Sequence, residues 1–279
     1  VRILITPHEL AAALRARSDI RVLDVRWKLG GPPGHAEYLA GHIPGAAYVD
    51  LETELAARGD AGDGRHPLPT RSALQAAARR WGLADGDTVV VYDDLGGVSA
   101  GRAWWLLRHA GVRDVLLLDG ALAAWRAAGL PVTVGEEPIR PGTVSLVDGV
   151  LPVLDADAAA RLASNGALLD ARAAERYRGD AEPIDPRAGH IPGAISAPTS
   201  DNLTADGCFR PAHELRARFE ALGLTAHSAV GVYCGSGVTA AHEAAALAIA
   251  GFEPALYPGS WSQWSNLPDR PVETGGPAA

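Results

Sequence analysis

The sequence contains no methionine and only two cysteines, Cys208 and Cys234, among its 279 residues. The first absence leaves the natural start of the chain open. The second excludes a disulfide framework and a cysteine-built zinc centre, and reduced thiols in a cytoplasmic setting are the corresponding expectation. Phenylalanine is scarce as well, three residues against seven tryptophans, and the tryptophans read as packing anchors. No apolar run approaches the ~18 residues that argue a membrane span. The opening VRILITPHEL lacks the charged and apolar regions of a secretory leader. Basic residues number 25 against 33 acidic ones, a formal net charge of −8, which argues against a phosphate-tracking nucleic-acid surface. There is no Walker loop and no GxGxxG after a strand.

What is present is enough apolar material, 47% of the residues, for a substantial core, and a length suited to about two domains. An internal repeat accounts for both. VLDVR (Val22 to Arg26) is echoed by LLDAR (Leu168 to Arg172), and AGHIPGA occurs identically at Ala40 to Ala46 and Ala188 to Ala194. VVYDD (Val90 to Asp94) has a counterpart in GVYCG (Gly231 to Gly235), and LLDGALAAW ending at Trp125 in LYPGSWSQW ending at Trp264. Short β-branched runs such as TVVVYD and VLLLD read as buried parallel strands. Helical stretches closed by glycine lie between them, and Thr6, Pro7 and Glu9 form a helix-start signature. The expected fold is therefore α/β: two tandem domains, each a parallel sheet with helices on both faces. The boundaries read as 1–135 and 150–279, with a Pro- and Gly-rich linker over 136–149.

The halves differ at one informative place. Where the first has Tyr92-Asp93, the second has Tyr233-Cys234, followed by Gly235-Ser236-Gly237-Val238-Thr239 and a helical run. Ligands of such sheets sit at the carboxyl ends of strands. A short Gly-rich loop before a helix turns backbone N–H groups toward an anion at the positive end of the helix dipole, and the thiolate is the nucleophilic form of cysteine. The alternative, a small buried structural cysteine, gains nothing from such a loop.

With these segments in view, the chain resembles the tandem-domain rhodanese-type sulfurtransferases that use 3-mercaptopyruvate or thiosulfate. The two AGHIPGA segments, LLDARAAERYRG, YCGSGVTA and PGSWSQW carry the resemblance, which spans nearly the whole chain. It implies a double displacement in which Cys234 takes sulfur from a small anionic donor, becomes a persulfide and passes the sulfur to cyanide, a thiol or a thioredoxin-like acceptor. It implies no metal and no organic cofactor, and an inactive first half, because Asp93 cannot carry sulfur. The family's donor-binding arginine falls on Arg176, and Arg172 nearer the strand reads as its ion-paired neighbour. Thiosulfate-preferring members have Arg-Lys after the cysteine; Gly235 and Ser236 stand there instead, the pattern associated with mercaptopyruvate. A second donor-binding Arg is missing, since the segment reads Glu182-Pro183-Ile184-Asp185-Pro186-Arg187, and Arg187 is its only local substitute. A Ser–His–acid proton relay carries over to Ser236, His66 and Glu52. His66 and Glu52 come from the first half, so both halves are expected to contribute to the site.

Other readings are weaker. A cysteine phosphatase needs an Arg six residues after the cysteine, where Ala240 stands. A non-catalytic rhodanese module would have lost the cysteine. Thiosulfate preference, and delivery of the persulfide to another protein, stay open. His42, His190, Asp24, Asp170 and the paired tryptophans recur in both halves, which favours structural roles. Cys208 lies in a turn-like segment.

Overall fold

The computed structural model describes residues 2–276. The chain forms two compact units. The first is drawn from Val1–Ala57, Pro69–Leu151 and Ala205–Phe209, the second from Arg58–Leu68, Pro152–Thr204 and Arg210–Ala279. The stretch 136–149, read from sequence as a linker, therefore belongs to the first unit. It is laced there by backbone hydrogen bonds such as Gly142 N to Arg79 O (2.7 Å) and Val144 N to Leu83 O (3.0 Å). The segment 58–68, which carries His66, belongs to the second unit.

In the first unit five parallel strands are hydrogen-bonded: β1 (Leu4–Ile5), β2 (Ile20–Asp24), β3 (Ala47–Tyr48), β4 (Thr88–Tyr92) and β5 (Val115–Leu118). Their spatial order is β1-β5-β4-β2-β3. The central β4, TVVVY, is buried at every residue, as a strand covered on both faces must be. In the second unit β6 (Ala167–Asp170), β7 (Ile195–Ser196), β8 (Val230–Tyr233) and β9 (Ala255–Leu256) run in the order β7-β6-β8-β9. An isolated parallel bridge from Val153 to Leu256 stands where β1 pairs with β5 in the first unit, so the two topologies agree strand for strand.

Helices follow the expected chemistry. The helix Pro7–Ala16 starts with a reciprocal capping box: Glu9 N donates to Thr6 Oγ1 (3.3 Å) and Thr6 N to Glu9 Oε2 (2.9 Å). The duplicated histidines tie loops. His42 Nδ1 bonds Tyr38 O and His190 Nδ1 bonds Tyr177 O, each ring stacking on that tyrosine at 3.9 and 3.7 Å between centroids. Trp125 belongs to the core of the first unit, with Leu10, Val22 and Val90. Trp261 and Trp264 belong to the core of the second, with Leu168, Ile191 and Tyr233. Among the described residues no helix is long and apolar enough to cross a membrane.

Candidate active site

Strand β8 ends at Tyr233, and Cys234 opens the loop that leads into the helix Thr239–Ile249. The thiol is 1% exposed. Gly237 takes φ +79°, a left-handed conformation that favours glycine, and this turns its N–H onto Cys234 Sγ at 3.1 Å. The loop is clamped from behind by the helix Ser260–Trp264. Cys234 N donates to Ser260 Oγ (3.1 Å), Trp261 N donates to Cys234 O (2.9 Å), and Ser262 N donates to Gly235 O (2.8 Å). Ser260 holds φ +53° to do this, and so does its repeat partner Ala121, at +55°. These are the two positive-φ non-glycine residues among those described. Such backbone strain costs on the order of 1–3 kcal/mol, and it recurs wherever a helix start meets this loop.

The first unit shows what the loop geometry favours. Asp93, fully buried, stands in the cysteine's place. Its carboxylate accepts backbone N–H bonds from Leu95 (2.8 Å), Gly97 (2.9 Å), Ser99 (2.7 Å) and Ala100 (3.0 Å). Burial pushes this carboxyl up, and the four N–H donors pull against it. The first loop is thus a cradle filled by its own anion.

The remaining expected residues fall as follows. Ser236 Oγ lies 2.7 Å from His66 Nδ1, both groups buried, and both belong to the second unit. Glu52 belongs to the first unit, where its Oε1 accepts from Trp27 Nε1 (2.8 Å). Val238 and Thr239 form the entry to the helix behind the loop. Arg172, its side chain 1% exposed, forks onto Asp170 at 2.6–3.1 Å, donates to Gly189 O and stacks over Trp261 at 4.6 Å. Burial penalises its charge, but the Asp170 carboxylate outweighs that and holds the guanidinium protonated. The first unit repeats the arrangement with Arg26 on Asp24, which marks it as part of the fold.

Arg187 does not reach toward the cysteine. It donates to four carbonyls, those of Trp264, Ser265, Leu267 and Arg270, at 2.7–2.8 Å, and so ties off the end of the helix Ser260–Trp264. The reading that it substitutes for a second donor-binding Arg is corrected by that commitment. Arg176 does approach the loop: a Cβ built on Gly235 would lie 3.4 Å from its Nη1. The same Cβ would lie 3.1 Å from Nη2 of Arg65, a residue that sequence reasoning passed over. Its only signal there was adjacency to His66. Arg176 is paired with Glu182 (2.6 Å) and Asp185 (3.3 Å), and Arg65 is also paired with Asp185. Cys208 is remote in character as well: burial, then the Asp119 and Asp206 carboxylates, push its thiol up to about 11, which leaves almost no thiolate at neutral pH.

Two repeats of one parallel-sheet topology, one bearing a cysteine at a strand-to-helix loop and the other a carboxylate, define a tandem α/β protein of rhodanese type. The rhodanese-like domain family matches residues 6–128 and 155–267. The chain is 51% identical over 280 residues to a Pseudomonas aeruginosa protein provisionally named 3-mercaptopyruvate sulfurtransferase. It is 47% identical over 277 residues to a Mycobacterium tuberculosis protein provisionally named thiosulfate sulfurtransferase SseB. In both cases 98% of each chain is covered. The crystal structure of SseA from Escherichia coli, a 3-mercaptopyruvate sulfotransferase of rhodanese fold, superposes with a TM-score of 0.83 at 31% identity, covering 94% of this chain and 99% of that one. The chain belongs to the tandem-rhodanese sulfurtransferases, the family of the thiosulfate and 3-mercaptopyruvate enzymes.

Proposed function

We propose that Cys234 carries sulfur from 3-mercaptopyruvate to cyanide or to a thiol acceptor such as a thioredoxin-like protein. The observation that supports this most is the gathering, around one loop, of the thiol, the Ser236–His66 pair and the Arg176 guanidinium. The Cys234 thiolate attacks the donor sulfur. The donor's C–S bond breaks, its electron pair goes to the carbon of the pyruvate enolate, and the sulfur stays as a persulfide. The proton lost by the donor thiol passes through Ser236 and His66 to the enolate carbon. Cyanide or an acceptor thiolate then attacks the outer sulfur and releases the Cys234 thiolate. The relay implied by the resemblance includes Glu52; the proposal rests on Ser236 and His66 alone.

Charge supports the donor. Arg65, Arg172 and Arg176 are matched in the second unit by Asp170, Glu182 and Asp185. A neutral cluster suits a monoanion better than a compact dianion such as thiosulfate, whose sulfite product is also doubly charged. Steady-state formation of thiocyanate with each donor tests this. The expected kcat/KM is about tenfold or more higher for 3-mercaptopyruvate, and a higher value for thiosulfate would overturn the assignment. The second reading, thiosulfate as preferred donor, draws on the name of the M. tuberculosis relative and on the two guanidiniums beside Gly235.

The proton path gives a separate expectation. Ser236→Ala and His66→Asn should each lower kcat with 3-mercaptopyruvate by roughly 10²-fold, yet lower it by less than about threefold with thiosulfate, which releases sulfite without protonating carbon. Equal losses with both donors would mean that the pair only shapes the loop.

A further inference from the structure

We propose that Arg65 supplies the second donor-binding guanidinium of this site, and that Asp185 is a built-in counter-anion which the donor's carboxylate displaces. The inference rests on the reading of Cys234 as the sulfur carrier and adds to it a residue from outside the segment where a second arginine is expected.

Four observations lead there. First, Arg65 and Arg176 converge on one point: Nη2 of the former and Nη1 of the latter lie 3.1 and 3.4 Å from the place of a Cβ on Gly235, the residue after the nucleophile. A Cβ at 235 would crowd the Arg65 head and touch that of Arg176, and glycine leaves that space to a ligand. Second, the two heads share one carboxylate. Asp185 Oδ1 pairs with Arg65 and Oδ2 with Arg176, and the Asp185 side chain is 2% exposed. A carboxylate bridging two guanidiniums has the chemistry of a bound 2-oxo acid. Third, the Nε–H groups of both Arg65 and Arg176 are buried donors without an acceptor. Leaving such donors unsatisfied is costly, and an incoming anion with several oxygens would satisfy them. Fourth, Arg65 lines a cavity of about 430 Å³ together with Gly59, Asp60, Ile184, Asp185 and Ser262, so its part-exposed side chain is open to a small solute from that side. Arg65 is also held in register from its backbone, its N–H donating to Ser262 Oγ (3.1 Å), two residues beyond the Ser260 that anchors the cysteine. The donor class that fits is a small acid whose carboxylate can reach the arginine pair while its sulfur meets Sγ.

The test combines kinetics with a probe that needs no turnover. Purified full-length wild type, Arg65→Ala, Arg65→Lys and Asp185→Asn are compared for KM and kcat with 3-mercaptopyruvate. The rates of Cys234 alkylation by iodoacetate and by iodoacetamide are measured in parallel, at low and high salt, and followed by peptide mass. Arg65→Ala should raise KM about tenfold or more, with a smaller change in kcat, and Arg65→Lys should recover part of the loss. The iodoacetate-to-iodoacetamide rate ratio should fall about fivefold or more in Arg65→Ala, and the effect should shrink in high salt. Asp185→Asn should move both readings the other way, lowering KM and raising the ratio. Unchanged KM and ratio in Arg65→Ala and Arg65→Lys would overturn the role of Arg65, and a raised KM in Asp185→Asn would overturn the counter-anion. Should the wild type transfer sulfur from neither donor while the ratio still responds to Arg65, the sulfur-carrier reading fails and the anion cradle stands.

Discussion

Sulfur transfer is expected to stop in Cys234→Ser, with turnover down at least about 10⁴-fold for either donor, because no other group on the loop can form the covalent intermediate. Serine is close in size and its Oγ can accept the Gly237 N–H in place of Sγ, so the loop should keep its shape. What is lost is the sulfur nucleophile that can form the S–S bond of a persulfide. Intact mass provides the second reading. Wild type treated with donor should gain one sulfur atom and lose it on addition of cyanide, Cys208→Ser should behave the same way, and Cys234→Ser should gain nothing. The high position of the Cys208 thiol, at about 11, is the reason to expect no label there. Transfer that persists in Cys234→Ser, or added mass mapping to Cys208, would falsify the assignment.

Two arginines four residues apart should give opposite phenotypes when changed to alanine. Arg176, part-exposed and beside Gly235, should lose roughly 10²-fold in kcat/KM, the scale of a lost charge-assisted pair to a bound anion, with little change in melting temperature. Arg172 is enclosed with Asp170, a carboxylate of zero exposure. Removing its guanidinium strands that charge, along with the carbonyl of Gly189 that it serves. Breaking one side of a buried pair costs on the order of 3–5 kcal/mol, a large share of a domain's total stability, so Arg172→Ala should unfold at much lower denaturant or temperature. Arg26→Ala in the first unit, where the same pair recurs on Asp24, should show the stability loss with activity retained in the fraction that folds. The reverse pattern, activity lost from Arg172→Ala without destabilisation and stability lost from Arg176→Ala, would mean that the roles are exchanged.

The repeat explains why so much could be read from the chain. Each strand-to-loop segment occurs twice, so a residue kept in both copies points to the fold and a residue that differs points to the site. Asp24, Asp170, His42 and His190 fall into the first class and Cys234 into the second. The period-2 and period-3.6 patterns that build sheets and helices are local, and so are capping boxes and glycine helix ends; a linear reading reaches all of them. It does not reach partners that meet across the chain. Arg65 lies 120 residues from Asp185 and 170 from Gly235 in sequence, and no periodicity connects them. Arg187 could be misjudged for the same reason. Its place near Arg176 suggested a ligand, whereas its four acceptors are carbonyls of the last residue of a helix and of the segment that follows it, more than 70 residues away.

By itself, the sequence determined the duplicated parallel α/β architecture, the cysteine that distinguishes one copy from the other, and the family to which the chain belongs. These follow from burial patterns and from short motifs whose chemistry is carried by neighbours in the chain. Only the tertiary structure decided which charges face one another. It placed the segment 58–68 with the second unit, turned Arg187 onto backbone carbonyls, and brought Arg65 to the shared carboxylate of Asp185. In the first copy it also showed the anion cradle closed by Asp93, where four N–H groups converge on one carboxylate. Electrostatic pairing depends on separations of a few ångströms between side chains, and those separations are set by how the chain packs, whatever the distance along it.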